Sequence, residues 1–283
     1  MKLYIPNTSE QSIGGGWTFL HNIKASRFFE VVGSWKECDL VLIMGATATN
    51  REEMIQAKAA GKKIVFRVDN IPKDSRNRGT AFSRMLDFAK MADFIIFQSE
   101  WARDYAGWWF KENGVDVDAK SCVIYNGIDP RYFYPEPSLQ KKGRYVYIQY
   151  NRDENKRTPE AFYDFHQAFR KDKSVELWLI GRFSPESVEY GFDFFAGETV
   201  QYLGVVEDRE QLGHLLRQCE FILFPAYADA SPNTLMEAMA CGCKPIGVNP
   251  VGGSIEVAGL PAGRTIQDMA TDYSEVFNKV LHG

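Results

Sequence analysis

The sequence predicts an α/β protein: two Rossmann-like, doubly wound parallel-sheet domains facing each other across a cleft. Short apolar runs suited to buried strands alternate with stretches of helical periodicity. The alternation comes in two series, as two βα-repeat domains require. A stretch of proline, charge and glycine separates them. The expected division is an N-terminal domain over 1–136, a linker at 137–143, a C-terminal domain over 144–268 and a closing helix over 269–283.

In the first series, Leu3 to Ile5 reads as a strand and Gly14-Gly15-Gly16 as a loop, with a helix following from about Trp17 to Phe29. Asp39 to Met44 is a buried strand, and Thr49 to Ala60 a helix closed by Gly61. Lys63 to Val68 is the next strand, followed by a polar loop from Asp69 to Gly79. Thr80–Met91 is a helix, Asp93–Gln98 a strand, Glu100–Asn113 a helix and Cys122–Tyr125 a strand. Trp101, Tyr105, Trp108 and Trp109 recur at helical spacing and read as core, with a membrane-surface stripe as the alternative.

In the second series, Arg144–Tyr150, Val175–Ile180, Val200–Leu203, Cys219–Pro225 and Lys244–Val248 read as strands. Thr158–Lys171 and Arg209–Arg217 read as helices, and another starts after Ser231-Pro232.

The composition is that of a soluble globular chain: 283 residues, 45% hydrophobic and 25% charged. A formal charge of −4 argues against a general nucleic-acid binder, which is usually basic. Met1-Lys-Leu-Tyr-Ile-Pro is a strand-like start rather than a signal peptide, and no apolar run has spanning length. The five cysteines, at 38, 122, 219, 241 and 243, are scattered, so reduced thiols in the cytoplasm are expected. Cys241-Gly-Cys243 lacks a second pair with zinc spacing, and Asp116-Val-Asp118 reads as an acidic loop; no metal site is expected.

The chemistry concentrates in Phe224 to Glu237. Ser231 suits an N-cap and Pro232 the first helical position. The N–H groups of Asn233, Thr234 and Leu235 would then point out of the helix end, as at an anion site. Asp229 and Glu237 frame that end, and carboxylates beside a phosphate suit hydroxyl groups. Arg152, Lys156 and Arg157 follow another strand of the same domain, and two or three cations suit a diphosphate. The glycine loop, with Gly15 and Gly16, is a second place where a phosphate could meet backbone N–H groups. Asp69, Asn70, Arg76 and Arg78 lie in a loop after a strand, the side that faces ligand in such folds.

Asp229 and Glu237, separated by seven residues, resemble the E-x7-E motif of retaining glycosyltransferases of the GT-B fold. Ser231-Pro-Asn-Thr-Leu-Met-Glu-Ala-Met-Ala-Cys-Gly242, with Gly252-Gly253 after the next strand, is similar to family 4 of these enzymes. The glycine loop, Val123 to Asp129, Arg152 and Arg157 match in order. Three features depart from the pattern: the first acid is aspartate, the first domain is short, and Asp69-Asn70 stands where the family commonly has histidine.

The resemblance implies metal-independent transfer, with retention, from a nucleotide-diphosphate sugar (a UDP- or GDP-sugar, a substrate and not a cofactor) to a hydroxyl of a sugar, glycan or small molecule. It implies that Gly15 and Gly16 approach the donor phosphates and that Arg152 and Arg157, with Lys156, neutralise the diphosphate. Asn233, Thr234 and Leu235, with Ser231 before them, would meet phosphate or sugar. Asp229 would take donor sugar hydroxyls and Glu237 the ribose; Arg182, Val205 and Val206 would lie by the base. Asp69 would orient sugar or acceptor, with Asn70, Arg76 and Arg78 on the acceptor side. Two alternatives stay open: a sugar-nucleotide epimerase, and a nucleotide-sugar-binding module with impaired catalysis.

Overall fold

The computed structural model describes residues 1–6, 15–46, 49–69, 71, 79–151, 154–184, 199–260 and 263–283. The contacts divide the chain into two compact units, Met1–Gly127 with Arg264–Gly283, and Ile128–Gly263.

The first unit runs β1 (Lys2–Tyr4), α1 (Gly15–Ser26), β2 (Glu30–Val32), β3 (Leu40–Ile43), α2 (Arg51–Ala59), β4 (Lys63–Val68), α3 (Gly79–Met91), β5 (Phe94–Phe97), α4 (Glu100–Glu112) and β6 (Ser121–Val123). Its strands form one sheet in the order β2-β1-β3-β4-β5-β6, and every pairing is parallel. β3 and β5 are buried along their whole length, as strands covered on both faces must be. β2 was not anticipated: it is a three-residue, partly exposed edge strand, and Phe28-Phe29 before it reads in the sequence as the end of the preceding helix.

The second unit runs β7 (Lys141–Gln149), a 3₁₀ turn (Glu154–Lys156), α5 (Thr158–Lys171), β8 (Glu176–Gly181), β9 (Val200–Gly204), α6 (Arg209–Arg217), β10 (Cys219–Leu223), α7 (Asn233–Ala240), β11 (Lys244–Ile246) and α8 (Ser254–Gly259). The sheet order is β11-β10-β7-β8-β9, again parallel throughout. All the carboxyl ends of these strands therefore lie on one edge, the edge on which parallel α/β sheets bind ligands. The short helix α8 was also unanticipated, since six residues are too few to show a helical period.

The last element, α9 (Ile266–His282), packs in the core of the first unit. Ile266, Met269, Ala270, Tyr273 and Phe277 form its buried stripe. Tyr273 packs tilted against Phe19 and Phe277 edge-on against Phe29, and burying each ring is worth about 2–3 kcal/mol. The helix starts earlier than the expected 269 because Thr265 and Asp268 form a reciprocal capping box.

Contacts divide the chain after Gly127, not within the expected linker, and Lys141 to Gly143 already belong to β7. Residues 128–136 go with the second unit because Ile128 and Phe133 join its core and Arg217 donates to the carbonyl of Tyr132 at 2.9 Å.

The aromatic stripe of α4 does not form core. Tyr105 is 50% and Trp108 63% exposed, whereas Ala102, Ala106, Gly107 and Phe110 face inward. Close packing against β5 and β6 admits the small residues: a Cβ on Gly107 would already touch Val117 at 3.4 Å. Trp101 and Tyr105 stack on each other outside, with ring centroids 5.3 Å apart.

Among the described residues no helix is long and apolar enough to cross a membrane. All five cysteines are free thiols, and burial pushes each thiol pKa up.

Candidate active site

The second unit gathers most of the expected residues on its carboxyl edge. β10 ends at Leu223, and the loop 224–232 carries Asp229 to the start of α7. That loop is held on two sides. Tyr227 N–H donates to the carbonyl of Asn155 and Ala228 N–H to that of Val251, both at 2.8 Å. Gly253 N–H donates to the carbonyl of Asp229, also at 2.8 Å. Gly252 has φ +128, and a Cβ there would stand 3.0 Å from the Asp229 backbone, so the glycine turn is needed for this close approach.

α7 begins one residue later than expected. Pro232, in extended conformation, is the N-cap, and Asn233 is the first helical residue; Ser231 therefore precedes the cap. Proline's ring fixes φ but offers no oxygen to the helix, so no side chain of the cap satisfies the first N–H groups. Ser231, Asn233 and Leu235 are buried and Thr234 is partly exposed.

The basic loop after β7 is anchored from below. Thr158 Oγ1 donates to Gln149 Oε1 at 2.6 Å, and the Tyr147 hydroxyl donates to the carbonyl of Lys156 at 2.9 Å. A Cβ on Gly181 would collide with the Gln149 carbonyl, so β8 must end in glycine, here at φ +117. Above this frame, Lys156 Nζ donates to Asp229 Oδ2 at 3.1 Å, each side chain about a quarter exposed. Arg157 takes the left-handed conformation (φ 56) at the N-cap of α5, and its Nε donates to Glu160 at 2.7 Å. Arg152 lies outside the described residues, as do Asn70, Arg76 and Arg78.

Glu237 is 5% exposed on α7, and burial pushes its carboxyl pKa up to about 7. Arg209 opposes that shift from the start of α6, with Nη2 at 3.5 Å from Glu237 Oε1. Arg209 itself rests against Phe133, its guanidinium 5.2 Å from the ring centre. Sequence reasoning missed this partner, because 28 residues of chain separate the two (237 − 209). The Tyr150 hydroxyl donates to the Val206 carbonyl at 2.8 Å and ties the 205–206 segment to the end of β7. Val205 is exposed, Val206 buried and Arg182 exposed, with Arg182 N–H donating to the Gln149 carbonyl at 2.6 Å.

In the first unit, Asp69 follows β4, and a Cβ on Gly16 would stand 3.2 Å from its Oδ2. Gly15 and Gly16 lie in the first turn of α1, two residues earlier than the expected helix start. Asp69 pairs with Arg67, which sequence reasoning had read only as a strand residue. A charge inside the apolar run Lys63–Val68 is itself a signal, since a buried charge needs a partner.

Residues 147–281 match the family described as glycosyl transferases group 1. This part of the chain is thus similar to a group 1 glycosyltransferase domain. The fold is GT-B, and solved structures share it along the chain. HepE from Anabaena, solved in complex with UDP, superposes with a TM-score of 0.70 at 16% identity, covering 99% of this chain and 93% of HepE. Sucrose-phosphate synthase from Thermosynechococcus elongatus gives a TM-score of 0.70 at 14% identity, covering 99% and 90%. The pneumococcal O-GlcNAc transferase GtfA, in complex with UDP and GlcNAc, gives 0.68 at 13% identity, covering 86% of this chain and 57% of GtfA. No curated protein sequence matches the chain.

Proposed function

We propose that this glycosyltransferase moves a sugar from a nucleotide-diphosphate sugar, with retention and without a metal, to a hydroxyl acceptor. The observation that carries the reading is one cluster on one sheet edge of a group 1 domain: Lys156 on Asp229, a helix start capped by proline, and buried Glu237. UDP is the first nucleotide to test, because HepE and GtfA were both solved with it.

In this reading the donor diphosphate takes the place of Asp229 as the partner of Lys156, and Arg152 and Arg157 add charge. Asn233, Thr234 and Leu235 aim their N–H groups at the same phosphates. As the glycosidic bond breaks, negative charge grows on the leaving diphosphate and positive charge on the sugar ring. Fixed cations and N–H groups stabilise the leaving group selectively, and each such donor is typically worth ~100–1,000-fold in rate. That supply of positive charge does what a divalent ion does elsewhere. Asp229, released from Lys156, accepts donor sugar hydroxyls, and Glu237 accepts from the ribose. Retention follows from attack on the face the leaving group occupies, with its phosphate oxygen taking the acceptor proton. Arg182, Val205 and Val206 flank the base. The free thiols suit a reducing, cytoplasmic setting.

A thermal-shift screen with UDP, GDP, ADP and their sugars tests the donor site. A ligand at ~100 times its dissociation constant stabilises by ~2.7 kcal/mol. No shift with any nucleotide would refute the reading. Undiminished transfer in EDTA, and product of unchanged anomeric configuration by NMR, test its finer parts.

A further inference from the structure

Arg67 sits inside β4 with its side chain 1% exposed. Arginine stays charged, so the charge is buried and must be compensated. Nη1 pairs with Asp69 Oδ1, and Nη2 donates to Gln98 Oε1 at 2.7 Å and to Asn126 Oδ1 at 2.9 Å. Gln98 returns a bond to Asp69 Oδ1 at 3.3 Å and one to the Val68 carbonyl at 2.9 Å. Asn126 Nδ2 donates to Gln98 Oε1 at 3.1 Å. The guanidinium also lies 3.9 Å over the centre of the Phe19 ring, on the helix that carries Gly16.

The two of these contacts that reach Asp69, from Arg67 Nη1 and Gln98 Nε2, are both made to Oδ1. The other oxygen, Oδ2, lies by Gly16 and Gly45, where virtual Cβ atoms would stand 3.2 and 3.9 Å from it. Gly16 lies in the first turn of α1, and any side chain there would crowd Oδ2, so glycine keeps that approach to the carboxylate clear of the helix. An ionised carboxylate offers only acceptor capacity, which suits an O–H and repels a phosphate.

We propose that Arg67, backed by Gln98 and Asn126, is a positioning residue: it holds Asp69 by Oδ1 so that Oδ2 receives the hydroxyl of the acceptor. This rests on the transferase reading above. Its chemistry needs no proton transfer to Asp69; the carboxylate orients the attacking oxygen, and the leaving phosphate takes the proton.

The test measures UDP release from UDP-glucose and UDP-N-acetylglucosamine with a panel of glycan acceptors, and UDP binding by calorimetry. Asp69→Asn and Arg67→Met should each lower kcat ~100-fold while UDP binds as in wild type. The double variant should lose no more than about threefold beyond either single one, because both act through one oxygen. Arg67→Lys, which keeps the charge but not the fork, should fall between and serves if Arg67→Met does not fold. Wild-type kcat in folded Arg67→Lys or in Asp69→Asn overturns the inference. So does a double-variant loss equal to the product of the single losses, or UDP binding that falls in step with turnover. A wild type that binds no nucleotide refutes the transferase reading, and the inference falls with it. Nucleotide binding with unchanged Asp69→Asn turnover refutes the inference alone.

Discussion

The carboxylate beside Gly16 and the two carboxylates around α7 are held in different ways. Asp69 is gripped by a fully buried arginine that is itself forked between Gln98 and Asn126. Asp229 meets Lys156 at 3.1 Å in a partly open setting, and Glu237 has Arg209 at 3.5 Å. A multiply bonded, buried pair resists exchange, because breaking it strands a charge away from water. A part-exposed pair such as Lys156–Asp229 is worth little and can be exchanged for a ligand. The first arrangement suits a group that must keep one orientation, and the second suits groups that change partners when a charged substrate arrives.

The largest effect expected from breaking this contrast is on stability in the first unit. Arg67→Met should cost about 3–5 kcal/mol in chemical denaturation, since Asp69 loses its buried partner. A cost under 1 kcal/mol would mean that the pair is as exchangeable as Lys156–Asp229. Lys156→Ala should do the opposite: a stability change within about 1 kcal/mol, but turnover lower by ~100–1,000-fold, read in a UDP-release assay.

A third difference lies in pH. Glu237 is raised from an ordinary 4.5 to about 7, so the folded state binds a proton more tightly than the unfolded one. Its contribution is greatest below pH 4.5 and is lost as pH rises to about 7, a loss of roughly 3 kcal/mol. Glu237→Gln should flatten that part of the stability–pH curve, measured as Tm against pH beside wild type. The smallest effect is expected on α4. Trp108→Ser should change stability by no more than about 0.5 kcal/mol, whereas Phe110→Ala on the inner face should cost about 3–5 kcal/mol.

Much of this was readable from the chain alone. β4, α5 and α6 begin and end where the pattern places them, because apolar runs, Pro159 in the first turn of α5 and the Asp208 cap are local signals. The loop that brings Lys156 beside Asp229 was legible as cations and acids after strands of one domain. What stayed hidden was relational. β2 and α8 are too short for a period, and the boundary after Gly127 depends on which core accepts Ile128 and Phe133. On α4 the aromatic positions and the small positions have the same spacing, and only the close approach of β5 and β6 chooses the small face.

The sequence by itself determined the alternation of strand and helix, the two parallel sheets and the residue types at their carboxyl edges. These depend on hydrophobic period, glycine and proline, which act within a few residues. Only the tertiary structure decided the partners: Arg67 for Asp69, Arg209 for Glu237, and the C-terminal helix for the first core. Arg209 and Glu237, like α9 and its core, meet across long stretches of chain. Arg67 and Asp69 are near in sequence, yet the fork that holds them comes from Gln98 and Asn126 on other segments. Such pairings are fixed by where each element is buried, and burial is a property of the packed molecule rather than of any one stretch.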